Sequence, residues 1–208
     1  MCCLIFCSTH LYADDSQLYL QFSRDSLDEA REKINIDLDN ISKLSESMCL
    51  SINPSKTVVM LFGRKVMTEA CKDLIRISVN GAVLPLTSEC RNLGLIMDSD
   101  LRFDSHINLL LKRAFVNIKL IYGCKEFLDI RQRKMLCEAL VLSHLNYCDT
   151  VYGPCLTKQN VARVQKIQNW CVRIVFNLRR TDRTSCRRQQ LGWLNMAACA
   201  ESVLHDFE

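Results

Sequence analysis

His10-Leu11-Tyr12-Ala13-Asp14-Asp15-Ser16-Gln17-Leu18-Tyr19-Leu20-Gln21-Phe22 is the stretch on which the reading of this chain turns. Before it, Leu4 to Tyr12 is a run dominated by apolar residues. After it, Ser16 to Phe22 alternates, with Leu18, Leu20 and Phe22 on one face. Ala13-Asp14-Asp15 is a turn-like break between the two, so the pattern predicts a β-hairpin with two carboxylates at its tip. Adjacent carboxylates on a tight turn hold like charges close together, which is unfavourable without a cation. Mg²⁺ takes hard oxygen ligands from one or two carboxylates plus substrate phosphates. Two such ions about 3.5–4 Å apart stabilise the attacking and leaving oxygens of an in-line displacement at phosphorus. An Asp-Asp pair alone is commonly just a turn; its setting in Tyr-x-Asp-Asp between two strands is far more specific.

Working outward, Ser26-x-x-Glu29 reads as a capping box opening a helix over 26–48. Its apolar face comprises Leu27, Ala30, Ile34, Leu38, Ile41 and Met48, and is expected to cover the hairpin sheet. Asn53-Pro54-Ser55-Lys56 breaks the chain before a β-branched run, Thr57 to Phe62, read as a strand. Ile75 to Val79 and Ala82 to Leu86 flank Asn80-Gly81, the strongest short-range signal for a two-residue hairpin. Arg91 to Met97 is read as a further short strand. Beyond about residue 101 the period becomes helical, predicting helices at 104–122, 129–145 and 157–177 and a shorter one near the end. The expectation is an α+β fold: an antiparallel, hairpin-rich region over 1–101 and a helical region over 102–208.

With 49% hydrophobic and 24% charged residues, the 208-residue chain has the composition of a folded domain and excludes disordered or collagen-like classes. The net charge of +4 is unevenly spread: residues 1–101 carry 10 Lys/Arg and 14 Asp/Glu, residues 102–208 carry 17 and 9. If either half meets a polyanion, it is the second. There, Lys158, Arg163, Lys166 and Arg173 lie opposite the apolar face of the third predicted helix, with Arg179 and Arg180 just past it. A charged helix face is more often simply solvated. Thirteen cysteines, scattered and odd in number, read as reduced and mostly buried thiols of an intracellular protein, nuclear or cytoplasmic, with no disulfide-linked partner. Cys2, Cys3 and Cys7 with His10 lack the second Cys-x-x-Cys pair of a zinc site. No run approaches the roughly 18 apolar residues of a membrane span, so no membrane partner is expected.

Taken together these motifs resemble the reverse transcriptases of non-LTR, LINE-type retrotransposons, especially the jockey-like group. HLYADDSQLYLQF resembles their metal-binding palm motif, INPSKT the next palm motif, and CRNLGLIMD the primer grip. The likeness continues through Ser105-His106-Ile107, Ser143 to Pro154, Val164 to Ile174 and Leu191 to Leu194, in order along nearly the whole chain.

The resemblance implies a partial palm followed by a basic, helical thumb. It makes Asp14 a ligand of Mg²⁺, with Asp15 as a supporting carboxylate, Tyr12 near the primer terminus, and Ala13 small enough for nucleic-acid backbone to approach. Lys56 would assist the pyrophosphate leaving group, Asn53 would shape its loop, and Asn92, Leu93 and Gly94 would support the primer strand. The implied partners are an RNA template with its DNA primer, and deoxynucleotides. A palm of this family also uses an Asp on an earlier strand, and none of the 11 residues before Tyr12 is acidic. The expectation is therefore a polymerase fragment that is inactive by itself. A non-catalytic nucleic-acid-binding module, and the remnant of a decayed element, are the alternative readings.

Overall fold

A computed structural model describes residues 6–195 of the chain, in two units, Met1–Cys90 and Arg91–Glu208.

In the first unit, β1 (Ser8–Tyr12) and β2 (Asp15–Tyr19) pair antiparallel, with Tyr12 opposite Asp15 and Ser8 opposite Tyr19. The strands are shorter than the sequence pattern suggested; Leu4 and Ile5 of the expected first strand lie outside the described residues. The expected Ser26–Glu29 capping box does not form. Ser26 instead ends a 3₁₀ turn, Arg24–Ser26, in which its hydroxyl is engaged with Ser23, so it gives α1 (Leu27–Ser47) no side-chain cap.

Helix α1 buries Leu27, Ala30 and Leu38, whereas Met48, just past its end, is exposed. After α2 (Lys65–Cys71) come β3 (Ser78–Val79) and β4 (Ala82–Val83), joined by Asn80 and Gly81 at φ 51° and 79°. Both turn residues are left-handed, as the predicted hairpin requires. The inner face of α1 packs against this second hairpin rather than squarely on the first. Leu38, Ile77, Val79 and Leu84 form the core cluster, and Leu18 of β2 joins its rim. Asn35 and Ser42 of α1 also bond Ser78 and Asn80.

Thr57 to Phe62 does not become a full strand. Val59 makes one parallel bridge to Leu86, and Pro85, with no N–H, cannot extend that ladder. Asp37 of α1, fully buried, accepts the backbone N–H groups of Phe6 and Cys7 at 2.7–3.1 Å, fixing the chain as it enters β1.

The boundary between the units falls within β5 (Glu89–Asn92), which pairs with β6 (Leu95–Asp98). The expected single strand at 91–97 is thus a hairpin, reversing at Leu93 and Gly94, φ 45° and 87°. Asp98 then accepts the backbone N–H groups of Asp100, Arg102 and Phe103, turning the chain into α3 (Asp104–Cys124).

The rest is helical: α4 (Ile130–Cys137), α5 (Ser143–Asn146), α6 (Asp149–Tyr152), α7 (Lys158–Phe176) and α8 (Ser185–Gln190). The predicted bounds of α3 and α7 are met within two residues. The predicted helix over 129–145 is interrupted by a π-helical turn at Glu138–Leu142, where Asn117 of α3 donates to the Leu140 carbonyl at 2.6 Å. A side chain inserted into the backbone ladder in this way is a recognised cause of such a break. Ile107, Ala114, Cys137, Val141, Ile167, Cys171 and Val175, all at most 1% exposed, lie at the centre of a core built by α3, α4, the π turn and α7.

Helices and small antiparallel hairpins make the α+β composition expected. Among the described residues no helix is long and apolar enough to cross a membrane. The cysteines among them are free thiols, of which Cys7, Cys71, Cys137 and Cys171 are buried. Most are therefore not buried, contrary to the sequence expectation.

Candidate Asp-Asp hairpin and basic helix face

Strand alternation fixes what the first hairpin presents. Cross-strand partners share a face, so Ser8, His10, Tyr12, Asp15, Gln17 and Tyr19 lie on one side and Thr9, Leu11, Ser16 and Leu18 on the other. Leu18 turns the second side toward the core. The first side faces outward, with Tyr12 exposed and His10 stacked on Tyr19 at 5.4 Å between ring centroids. Ala13 takes φ 52°, a left-handed conformation that leaves Ala13 and Asp14 as the two-residue turn. Both carboxylates are exposed, and among the described residues neither has a hydrogen-bond or ion-pair partner. Two adjacent hard-oxygen donors facing solvent fit the protein's share of a Mg²⁺ site, whose remaining ligands are waters and phosphates. Among the described residues no three His, Cys, Asp or Glu side chains converge on one point.

Lys56 sits in the turn that follows Asn53. The Asn53 side-chain oxygen accepts from the Ser55 N–H and hydroxyl at 3.0 and 2.6 Å, and its carbonyl accepts from Lys56 N–H at 3.2 Å and the Thr57 hydroxyl at 2.9 Å. Asn53 therefore builds the loop that displays Lys56, whose side chain is exposed.

In the second unit Asn92, Leu93 and Gly94 form one turn, and Asn92 reaches the Met97 sulfur at 3.7 Å. Tyr147 closes over this turn. Its hydroxyl donates to the Leu93 carbonyl at 2.7 Å, and its ring lies 3.4 Å from where a Cβ on Gly94 would stand. Sequence reasoning missed Tyr147, because its partner is 54 positions away and nothing local marks it. Beside the turn, the buried His106 accepts the Ile96 N–H through Nδ1 at 3.4 Å and meets the Tyr152 ring edge-on. Burial, with a lesser push from Arg113, holds its pKa below the usual 6.5.

The six predicted basic residues are not equivalent. Lys158, Lys166, Arg179 and Arg180 are exposed, the last two beyond Asn177, which ends α7 at φ 50°. Arg163 is half-buried and packed between helices, donating to Asn160 at 3.0 Å and to Asn108 of α3 at 2.8 Å. Arg173 is half-buried, and its Nε is buried with no partner among the described residues. Between α3 and α7 runs a groove of about 650 Å³ lined in part by Asn108, Lys112, Phe115, Arg163 and Lys166. Lys112 and Phe115 were not foreseen, although they share a helical row with Ser105 and Asn108.

Comparison with known proteins bears on these motifs. The chain is 23% identical over 167 residues to the Drosophila melanogaster protein named "Probable RNA-directed DNA polymerase from transposon BS", covering 79% of this chain and 18% of that protein. It is 26% identical over 145 residues to the "RNA-directed DNA polymerase from mobile element jockey" of Drosophila funebris, covering 68% and 15%. The chain is a relative of transposon RNA-directed DNA polymerases. This bears out the resemblance to jockey-like reverse transcriptases that its motifs carry. The aligned part spans less than a fifth of the length of these reverse-transcriptase relatives. No family model matches the chain, and no solved structure matches it.

Proposed function

We propose that this chain is the later part of a non-LTR reverse transcriptase, a palm segment followed by a thumb. The observation that carries the reading is the antiparallel hairpin with Ala13-Asp14 at its turn and both carboxylates exposed, in a chain whose relatives are polymerases of mobile elements. In this reading Asp14 and Asp15 hold Mg²⁺, which would supply charge stabilisation at the reacting phosphate. Tyr12 and Ala13 border the primer terminus, and Lys56, displayed by Asn53, neutralises the leaving group. Asn92, Leu93 and Gly94 support the primer strand. Lys158, Arg163, Lys166, Arg173, Arg179 and Arg180 contact the phosphates of the RNA–DNA duplex.

Phosphoryl transfer also needs carboxylates that bridge both ions and a pocket that positions the incoming nucleotide. The 208-residue polypeptide alone is therefore expected to bind primer–template without extending it. Binding should weaken steeply as salt rises, because counterion release drives it. Primer-extension assays with Mg²⁺ and deoxynucleotides, beside an Asp14→Ala control, test both claims. Extension that disappears in the control would sink the claim of inactivity, and failure to bind primer–template at low salt would sink the polymerase reading. The absence of a three-ligand cluster among the described residues favours a second reading, a nucleic-acid-binding module with no catalytic role. The two separate on whether Mg²⁺ binding to the chain is lost in Asp14→Ala.

A further inference from the structure

Helices α3 and α7 are held side by side by two polar rungs. Asp104 accepts from the Asn160 side chain at 2.6 Å, and Asn108 accepts from Arg163 at 2.8 Å. Residue numbers rise together along both rungs, so the helices run parallel and in register. Both rise 1.5 Å per residue, so this register carries forward. It sets Lys112 level with Lys166, Phe115 level with Trp170, and Lys119 level with Arg173. The first pair and Phe115 line the 650 Å³ groove. Phe115 is 53% exposed and Trp170 40%, large fractions for aromatic rings on packed helices.

The groove thus alternates cationic, aromatic and cationic rungs about one helical turn apart. Among its lining residues there is no carboxylate, and neither Lys112 nor Lys166 has a hydrogen-bond or ion-pair partner among the described residues. Arg163 uses two of its five N–H donors on Asn108 and Asn160, which leaves it aimed and still able to donate. At the far rung the Arg173 Nε–H is buried and unpartnered among the described residues. Cations alone would suit any polyanion. Exposed rings set between them suit one whose bases are unstacked, because a duplex keeps its base faces covered while a single strand offers them for stacking.

We infer that the α3–α7 groove binds single-stranded nucleic acid, with a base stacked at the Phe115–Trp170 level and the flanking phosphates held by Lys112, Arg163 and Lys166. This deepens the nucleic-acid reading by giving the groove a ligand distinct from the duplex assigned to Arg179 and Arg180.

Fluorescence anisotropy of the full 208-residue chain tests it, with a labelled oligouridine of about 10 nucleotides and a blunt RNA–DNA duplex as probes. Phe115→Ala should weaken oligouridine binding about 5- to 140-fold, the loss of one stacked base, and leave duplex binding unchanged. Phe115→Tyr, which keeps the ring, should retain wild-type affinity, and Arg179→Ala with Arg180→Ala should weaken the duplex alone. Phe115 is exposed, so Phe115→Ala should fold normally, as circular dichroism would show. The inference is overturned if wild-type chain does not bind oligouridine, if Phe115→Ala binds it as wild type does, or if Phe115→Tyr loses as much as Phe115→Ala. Single-strand binding that depends on Phe115 without duplex binding would overturn the thumb reading and keep the groove; duplex binding alone would do the reverse.

Discussion

Gly94 and Tyr147 illustrate how one side chain can hold a turn that no local signal secures. Gly94 is at φ 87°, a region that L side chains avoid, and any Cβ there would press on the Tyr147 ring. Gly94→Ala should therefore cost about 1–3 kcal/mol through backbone strain, measured by urea unfolding. Tyr147→Phe, which removes only the bond to the Leu93 carbonyl, should cost about 0.5–1.5 kcal/mol. His106 supplies a pH dependence. Its folded pKa lies below 6.5, so the unfolded chain binds the proton more readily. The His106 contribution is full above pH 6.5 and is lost as pH falls through the folded value. Thermal midpoints taken from pH 8 to 5 should fall less in His106→Gln than in the wild type; parallel curves would remove His106 from the acid response.

Among the elements, what could be read in the sequence and what could not follows from the range of the forces involved. The Asp-Asp hairpin, the Asn80-Gly81 turn, α1, α3 and α7 were legible because period and turn chemistry are local. Helix α2 was not, since Val66 and Met67 point outward and leave no apolar face to detect. The turn at Leu93 was hidden because Leu rarely takes a left-handed conformation, and here Tyr147 supplies the restraint. Of the candidate site, the carboxylates and the α7 basic face were visible as sequence, while the α3 side of the groove needed the register of two helices. That register depends on the packing of α7. Ile167, 1% exposed on its inner face, should cost about 2–5 kcal/mol when changed to Ala. If Ile167→Ala melts like wild type, α7 is not the core helix described.

At the scale of the molecule, the two units differ in how much apolar side chain they bury. The second has a large contiguous core, and the first a cluster of Leu38, Ile77, Val79 and Leu84. Amide hydrogen exchange should be slowest in α3 and α7 and distinctly faster throughout 6–88, because local opening tracks buried contact. Equal protection in both would contradict that division. The π-helical turn at Glu138–Leu142 extends this to the genetic scale, since a π turn is an α-helix carrying one surplus residue. Deleting Ala139 would let the helix close into regular geometry and swing everything after it by about 100°, one residue's rotation. Tyr147 would then leave the Leu93 carbonyl. A single in-frame codon loss far from the Leu93-Gly94 turn would so reproduce the loss expected of Tyr147→Phe, and lineages of this element should tolerate insertions and deletions elsewhere on the surface far better than within these five positions.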